Sequence, residues 1–162
     1  MRVFLCNFRG FSLAIPMDSV SFITQHQKNT ERAIEYKAEN HNTYVSLPRL
    51  FKLPLLNVRH GIILKDGNAD EDNGTIENKM ILLTTKVECE TEIPEKIIFP
   101  IPKTLEIMRF SFLFNGIIFN SHTGDVLSVS SFTQEDLILL FNPEKLTKNI
   151  KRKLKHDKNI NS

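Results

Sequence analysis

The chain opens on alternating apolar residues. Residues 2–8 are rich in Val, Phe and Leu, Arg9-Gly10 interrupts them, and Phe11, Leu13 and Ile15 then alternate with small or polar partners. That pattern predicts a hairpin, closed by Pro16 because proline cannot continue a sheet ladder. Asp18-Ser19 supplies a turn before a strand carrying Val20, Phe22 and Ile23. Residues 25–42 are polar and without an apolar period, which predicts mainly loop, with one helical turn available over residues 30–35. A strand over residues 43–47 leads into a helical turn near residues 48–52 that Pro54 ends. Strands over residues 61–65 and 80–84, joined by a very polar turn at residues 66–78, form a second hairpin. Further strands are expected over residues 87–90, 112–119, 126–129 and 136–141, and short helices near residues 102–108 and 143–153. Many short strands parted by turn signals give an all-β sandwich or barrel. No helical pattern is long enough to build parallel βαβ units.

Composition adds limits rather than identity. At 162 residues and 18.7 kDa the chain suffices for one ordinary domain or two small barrels, and 41% apolar with 25% charged residues excludes a disordered or low-complexity chain. No apolar stretch approaches the ~18 residues of a membrane span. Arg9 follows Arg2 before an apolar leader can form, so no signal peptide is read. Cys6 and Cys89 are too few for a disulfide framework and fit buried thiols in a reducing compartment, which places the expected location in the cytoplasm. Net charge is +2, unevenly spread: residues 144–158 hold seven basic side chains against Glu144 and Asp157, a surplus of +5, which leaves −3 on the remainder. The basic end reads as a solvated helix that frays. Its residues after about Thr147 show no apolar stripe, so they are expected to be dispensable for folding.

The residues that could carry chemistry form no constellation. The acidic turn from Asn68 to Gly74 fails as a calcium loop, since Asn73 stands at position six and Lys79 at position twelve, where glycine and a bidentate glutamate are needed. The five histidines are scattered without metal-ligand spacing, and G-x-S-x-G, G-x-G-x-x-G and the phosphate-binding loop motif are all lacking. The expectation is therefore no enzyme, no cofactor, no metal and no small-molecule substrate. The twelve phenylalanines lie mostly at alternating strand positions, where core packing is the default, rather than interleaved with basic residues as a nucleic-acid surface would require.

In order along the chain, four segments resemble the chemotaxis coupling protein (CheW-like) family. Residues 13–23, with Leu13-Ala14-Ile15-Pro16 followed by Val20, Phe22 and Ile23, are similar to its Y-A-[IL]-P-x-x-x-V-x-E-I segment. Residues 45–54 are similar to V-[IV]-D-L-x-x-x-[FL]-G-L-P, residues 80–87 to V-G-L-x-V-D-x-V, and residues 137–146 to L-V-x-L-L-D-P-x-K-L. Ser46, Thr85 and Asn142 replace three signature acidic residues, and Phe22 replaces the glutamate of V-x-E-I. The N-x-R-G element, whose arginine helps hold the receptor-facing surface in the family, has no counterpart in residues 35–40.

The resemblance implies two five-stranded SH3-like β-barrels sharing a hydrophobic seam, with short helices and an N-terminal strand available to complete the second barrel. It implies a CheW-like domain over residues 1–146, its second subdomain starting near residue 55, and a basic tail over residues 147–162. By function it implies a non-catalytic adaptor joining the cytoplasmic tip of chemoreceptors to the regulatory domain of a sensor histidine kinase, without membrane insertion. Family adaptors meet the kinase through one face of the first barrel, where Val20 and Phe22 fall by motif position. Simple strand alternation puts both side chains on one face, either at the surface or in the core. Two further readings stay open: a structural or assembly protein on the same fold, and a small barrel that binds RNA through its basic end.

Overall fold

The computed structural model describes residues 1–8, 11–25, 36–39, 41–53, 58–65, 79–88, 90–101, 111–119 and 137–160. The expected turns at residues 30–35 and 66–78, the helix at 102–108 and the strand at 126–129 lie outside them. The chain divides into two units: residues 1–18 with 86–142, and residues 19–85 with 143–162. The crossings thus fall at 18/19, 85/86 and 142/143 rather than near residue 55.

The first unit holds a sheet of β1 (Arg2–Phe8), β2 (Phe11–Pro16), β8 (Glu90–Glu92), β9 (Ile98–Phe99), β10 (Phe114–Phe119) and β11 (Leu137–Phe141), in the order β8-β1-β2-β11-β10-β9. The expected first hairpin forms in register, from Val3 opposite Pro16 to Phe8 opposite Phe11. β11 lies parallel to β2, with Leu139 opposite Leu13. Val3, Ala14, Ile93, Ile118, Ile138 and Leu140 bury one cluster. Leu13, Ile15 and Phe141, of opposite parity, are also fully buried, so the strands are apolar on both faces. The strand expected at residues 87–90 starts only at Glu90. Before it, the Glu88 N–H already donates to the Leu5 carbonyl at 2.7 Å.

Gly116 sits where β10 bulges, between the pairs Phe114–Phe141 and Gly116–Leu140. A Cβ there would lie 2.8 Å from the Phe99 carbonyl oxygen and 2.7 Å from Ile98 Cγ2. The closeness of β9 therefore requires glycine.

The second unit holds β3 (Val20–Gln25), β4 (Tyr36–Glu39), β5 (Asn42–Ser46), β6 (His60–Leu64) and β7 (Met80–Thr84), in the order β3-β6-β7-β5-β4. The expected β6–β7 hairpin is antiparallel, and β5 runs parallel to β7. Val45, Ile62 and Leu82 are fully buried on one face, while Ile63, Ile81 and Leu83 cluster with Tyr44 and Val58 on the other. β4 corrects the loop expected over residues 25–42: it pairs with β5 from Tyr36 opposite Val45 to Glu39 opposite Asn42.

Among the described residues, two α-helices complete this unit. α1 (Leu47–Leu50) starts at Ser46, whose Oγ accepts from the Arg49 N–H at 3.5 Å, with Pro48 in the first turn. It ends in a Schellman motif: the Lys52 N–H donates to Arg49 and the Leu53 N–H to Pro48, with Lys52 left-handed at φ 54°. α2 spans Pro143–Ile160, eighteen residues, and is longer than the short helix expected. It also overturns the reading of a tail without an apolar stripe. Leu146 and Ile150 are each 1% exposed and Leu154 is half-buried, which is one stripe at a spacing of four. Among the described residues no helix is long and apolar enough to cross a membrane.

Candidate functional site

Among the described residues β3 forms one edge of the five-stranded sheet, with β6 as its one neighbouring strand. It is entered from a 3-10 turn, Met17–Ser19, and the Lys65 N–H donates to the Ser19 carbonyl at 3.0 Å. Val20 pairs with Leu64 but Phe22 pairs with Ile63, leaving Ser21 as an extra residue in a β-bulge. The bulge flips the alternation. Val20 turns to the face of Leu64 and Ile62 and is 6% exposed, whereas Phe22 turns to the face of Ile63 and Ile81 and is 51% exposed. The expectation that both side chains share a face is thus corrected, because one inserted residue shifts the period by one. Val20 belongs to the core and Phe22 to the surface.

Around Phe22 the edge is small and uncharged: Ser21, Thr24 and Gln25 are all exposed. In register, Phe22, Ile63, Ile81 and Tyr44 form one row across four strands. The exposed ring thereby extends an otherwise buried apolar row to the sheet's rim. Phe99 (48%) and Phe112 (44%) of the first unit are exposed as well, although the strand pattern assigned phenylalanines to the core by default.

A polar chain missed in the sequence crosses the first unit. The Ser12 hydroxyl donates to Asn7 Oδ1 at 2.8 Å, Asn7 hydrogen-bonds Glu88, and Lys86 Nζ donates to Glu88 Oε1 at 2.7 Å. The hydrogen bond from Lys86, aided by its charge and by Asn7, holds the Glu88 carboxyl below its ordinary value against the opposing effect of desolvation. No motif marks this chain, since its members are far apart in sequence. Among the described residues no group of His, Cys, Asp and Glu is placed to hold a metal ion.

The replaced acidic positions have local structural roles. Ser46 occupies the N-cap of α1. Asn142 stands immediately before Pro143, the first residue of α2; its N–H donates to the Leu113 carbonyl at 2.7 Å and its Nδ2 to Asn115 Oδ1 at 2.8 Å. Serine and asparagine cap helices about as well as aspartate, so both replacements suit helix starts. The Thr85 carbonyl lies 3.3 Å from His60 Nδ1.

No protein-family model matches the sequence, and no curated protein matches it. Among solved structures the chain is similar to the scaffolding protein TtCheW from Thermoanaerobacter tengcongensis. The TM-score is 0.56 at 12% identity, over 88% of this chain and 84% of that one. Two mostly antiparallel sheets with few helices agree with that likeness. The chain has a CheW-like fold, far diverged in sequence.

Proposed function

We propose that this protein is a non-catalytic adaptor of a chemotaxis-type signalling assembly, joining a sensor histidine kinase to chemoreceptors in the cytoplasm. The observation that carries the reading is the fold shared with a scaffolding protein. Fold alone does not fix function. The local support is the β3 edge, where Phe22 offers an apolar anchor at the motif position of the family's kinase-facing segment. Val20, beneath the bulge, fixes the strand that presents it. An exposed aromatic on a rigid strand suits protein recognition, because it adds contact area at little conformational cost.

The test uses the full chain and the regulatory domain of the chemotaxis kinase from the same organism. Phe22→Glu restores the charge of the V-x-E-I pattern at an exposed position and should alter stability by no more than about 1 kcal/mol. Wild type should bind the kinase domain, and the variant should bind it with changed affinity. Failure of the wild type to bind either kinase or receptor tip would overturn the adaptor reading. Unaltered binding by a stable variant would remove Phe22 from the interface.

A further inference from the structure

α2 presents two unlike surfaces. Leu146, Ile150 and the half-buried Leu154 face inward, and the Thr147 hydroxyl reaches the Met80 sulfur at 3.4 Å. Lys145, Lys148, Lys151, Arg152 and His156 are exposed. At 100° per residue these five fall within one arc of about 140° on the side away from Leu146 and Ile150. The only acid described on that arc is Glu144, whose carboxylate lies 3.9 Å from Lys148 Nζ with both side chains largely exposed, so it screens little. Residues 144–158 carry +5 while the remainder of the chain carries −3. On that arc the described side chains Lys145, Lys148, Lys151 and Arg152 set four positive charges against Glu144, over about 17 Å from Lys145 to His156.

We propose that the outer face of α2 is a docking surface for an acidic protein helix, whose carboxylates repeat about once per turn and meet Lys148 and Arg152. The spacing supplies the complement: Lys148 and Arg152 are four residues apart, about 6 Å along the axis, which matches glutamates at i and i+4 on a facing helix. A lipid surface fits less well. A helix that inserts into the bilayer interface uses an apolar stripe, and here Leu146 and Ile150 are already buried, which leaves lipid only the electrostatic attraction. A nucleic acid duplex fits less well too, because the whole chain is only +2 and the remainder outside residues 144–158 is acidic. A compact acidic helix meets only this basic face, whereas a long polyanion also meets the acidic remainder. This inference stands apart from the adaptor reading, since it concerns another element and does not involve Phe22.

The experiment measures binding of the full-length protein to four probes at about 0.15 M salt. They are a helical peptide with glutamates at i and i+4 on one face, a scrambled peptide of the same composition, vesicles containing phosphatidylserine, and a short DNA duplex. The faced peptide should bind better than the other three. Lys148→Glu with Arg152→Glu should weaken it about tenfold or more at unchanged melting temperature. If the charge reversal destabilises the helix, Lys148→Gln with Arg152→Gln should still weaken binding. Equal binding of the scrambled peptide, tighter binding of vesicles or duplex, or indifference to either double variant would overturn the proposal. A Phe22→Glu protein that still binds the peptide while losing the kinase would show the two surfaces to be independent.

Discussion

The Thr147 hydroxyl lies 3.4 Å from the Met80 sulfur, tying α2 to β7 across 67 positions of sequence. The same hydroxyl is 2.9 Å from the Pro143 carbonyl one turn back, as threonine in a helix allows. This contact, with Leu146 and Ile150 beside it, makes the C-terminal helix part of the second unit's core.

Removing residues 150–162 should therefore destabilise the protein. Burial of Ile150 contributes on the order of 2–3 kcal/mol, and Ile150→Ala alone should cost about 2–5 kcal/mol. Urea unfolding of both variants checks this. A truncated protein as stable as the full chain would show that the stripe contributes nothing.

Gly116→Ala should cost about 1–3 kcal/mol, because the new methyl group meets backbone at Phe99 O, which cannot turn aside as a side chain would. Amide exchange should show the loss concentrated at the Ile98–Ile118 and Phe99–Ile117 pairs. Uniform loss over the sheet would contradict the local cause.

Lys52→Gly should stabilise by about 0.5–1 kcal/mol. Lys52 holds φ 54° at the end of α1, a conformation that costs an L side chain more than it costs glycine, and the gain exceeds the added freedom of the unfolded chain. The resembled motif has glycine at this position. A lower melting temperature for the variant would mean that the Lys52 side chain contributes more than its backbone strain.

Glu88 gives a pH dependence with a definite sign. Its folded-state pKa lies below the ordinary glutamate value, so the unfolded chain binds protons more readily. The stabilisation is present above the ordinary carboxylate range and is lost as pH falls through the depressed folded value. Lys86→Met should bring the carboxyl titration, followed by NMR, back up toward the ordinary glutamate value. An unmoved titration would mean that Lys86 is not the cause.

The strands legible in the sequence, through apolar alternation or through two apolar faces, are β1, β2, β3, β5, β6, β7, β10 and β11. β4 stayed hidden because Tyr36-Lys37-Ala38-Glu39 is an edge strand whose pairing comes from β5, not from an apolar pattern of its own. β9 has two residues, too few to show any period. At the candidate site, residues 20–23 look regular, and only the register with β6 exposes the extra Ser21. Hydrophobicity does not encode a bulge, so its effect on Val20 and Phe22 could not be read. In α2 the signal was present in Leu146, Ile150 and Leu154, but seven basic residues obscured it.

The three crossings of the chain between its units govern how it can be made and cut. β1 and β2 leave the ribosome as a hairpin, yet Ser12 waits for Ile138 before its parallel neighbour arrives. The middle segment likewise waits for Leu146 and Ile150 at the far end. Such late, long-range closure slows folding and leaves strand edges open during synthesis. Neither unit corresponds to one continuous stretch of gene. A fragment ending at residue 85 would lack α2 and carry an orphan hairpin, and one starting at residue 86 would lack β1 and β2.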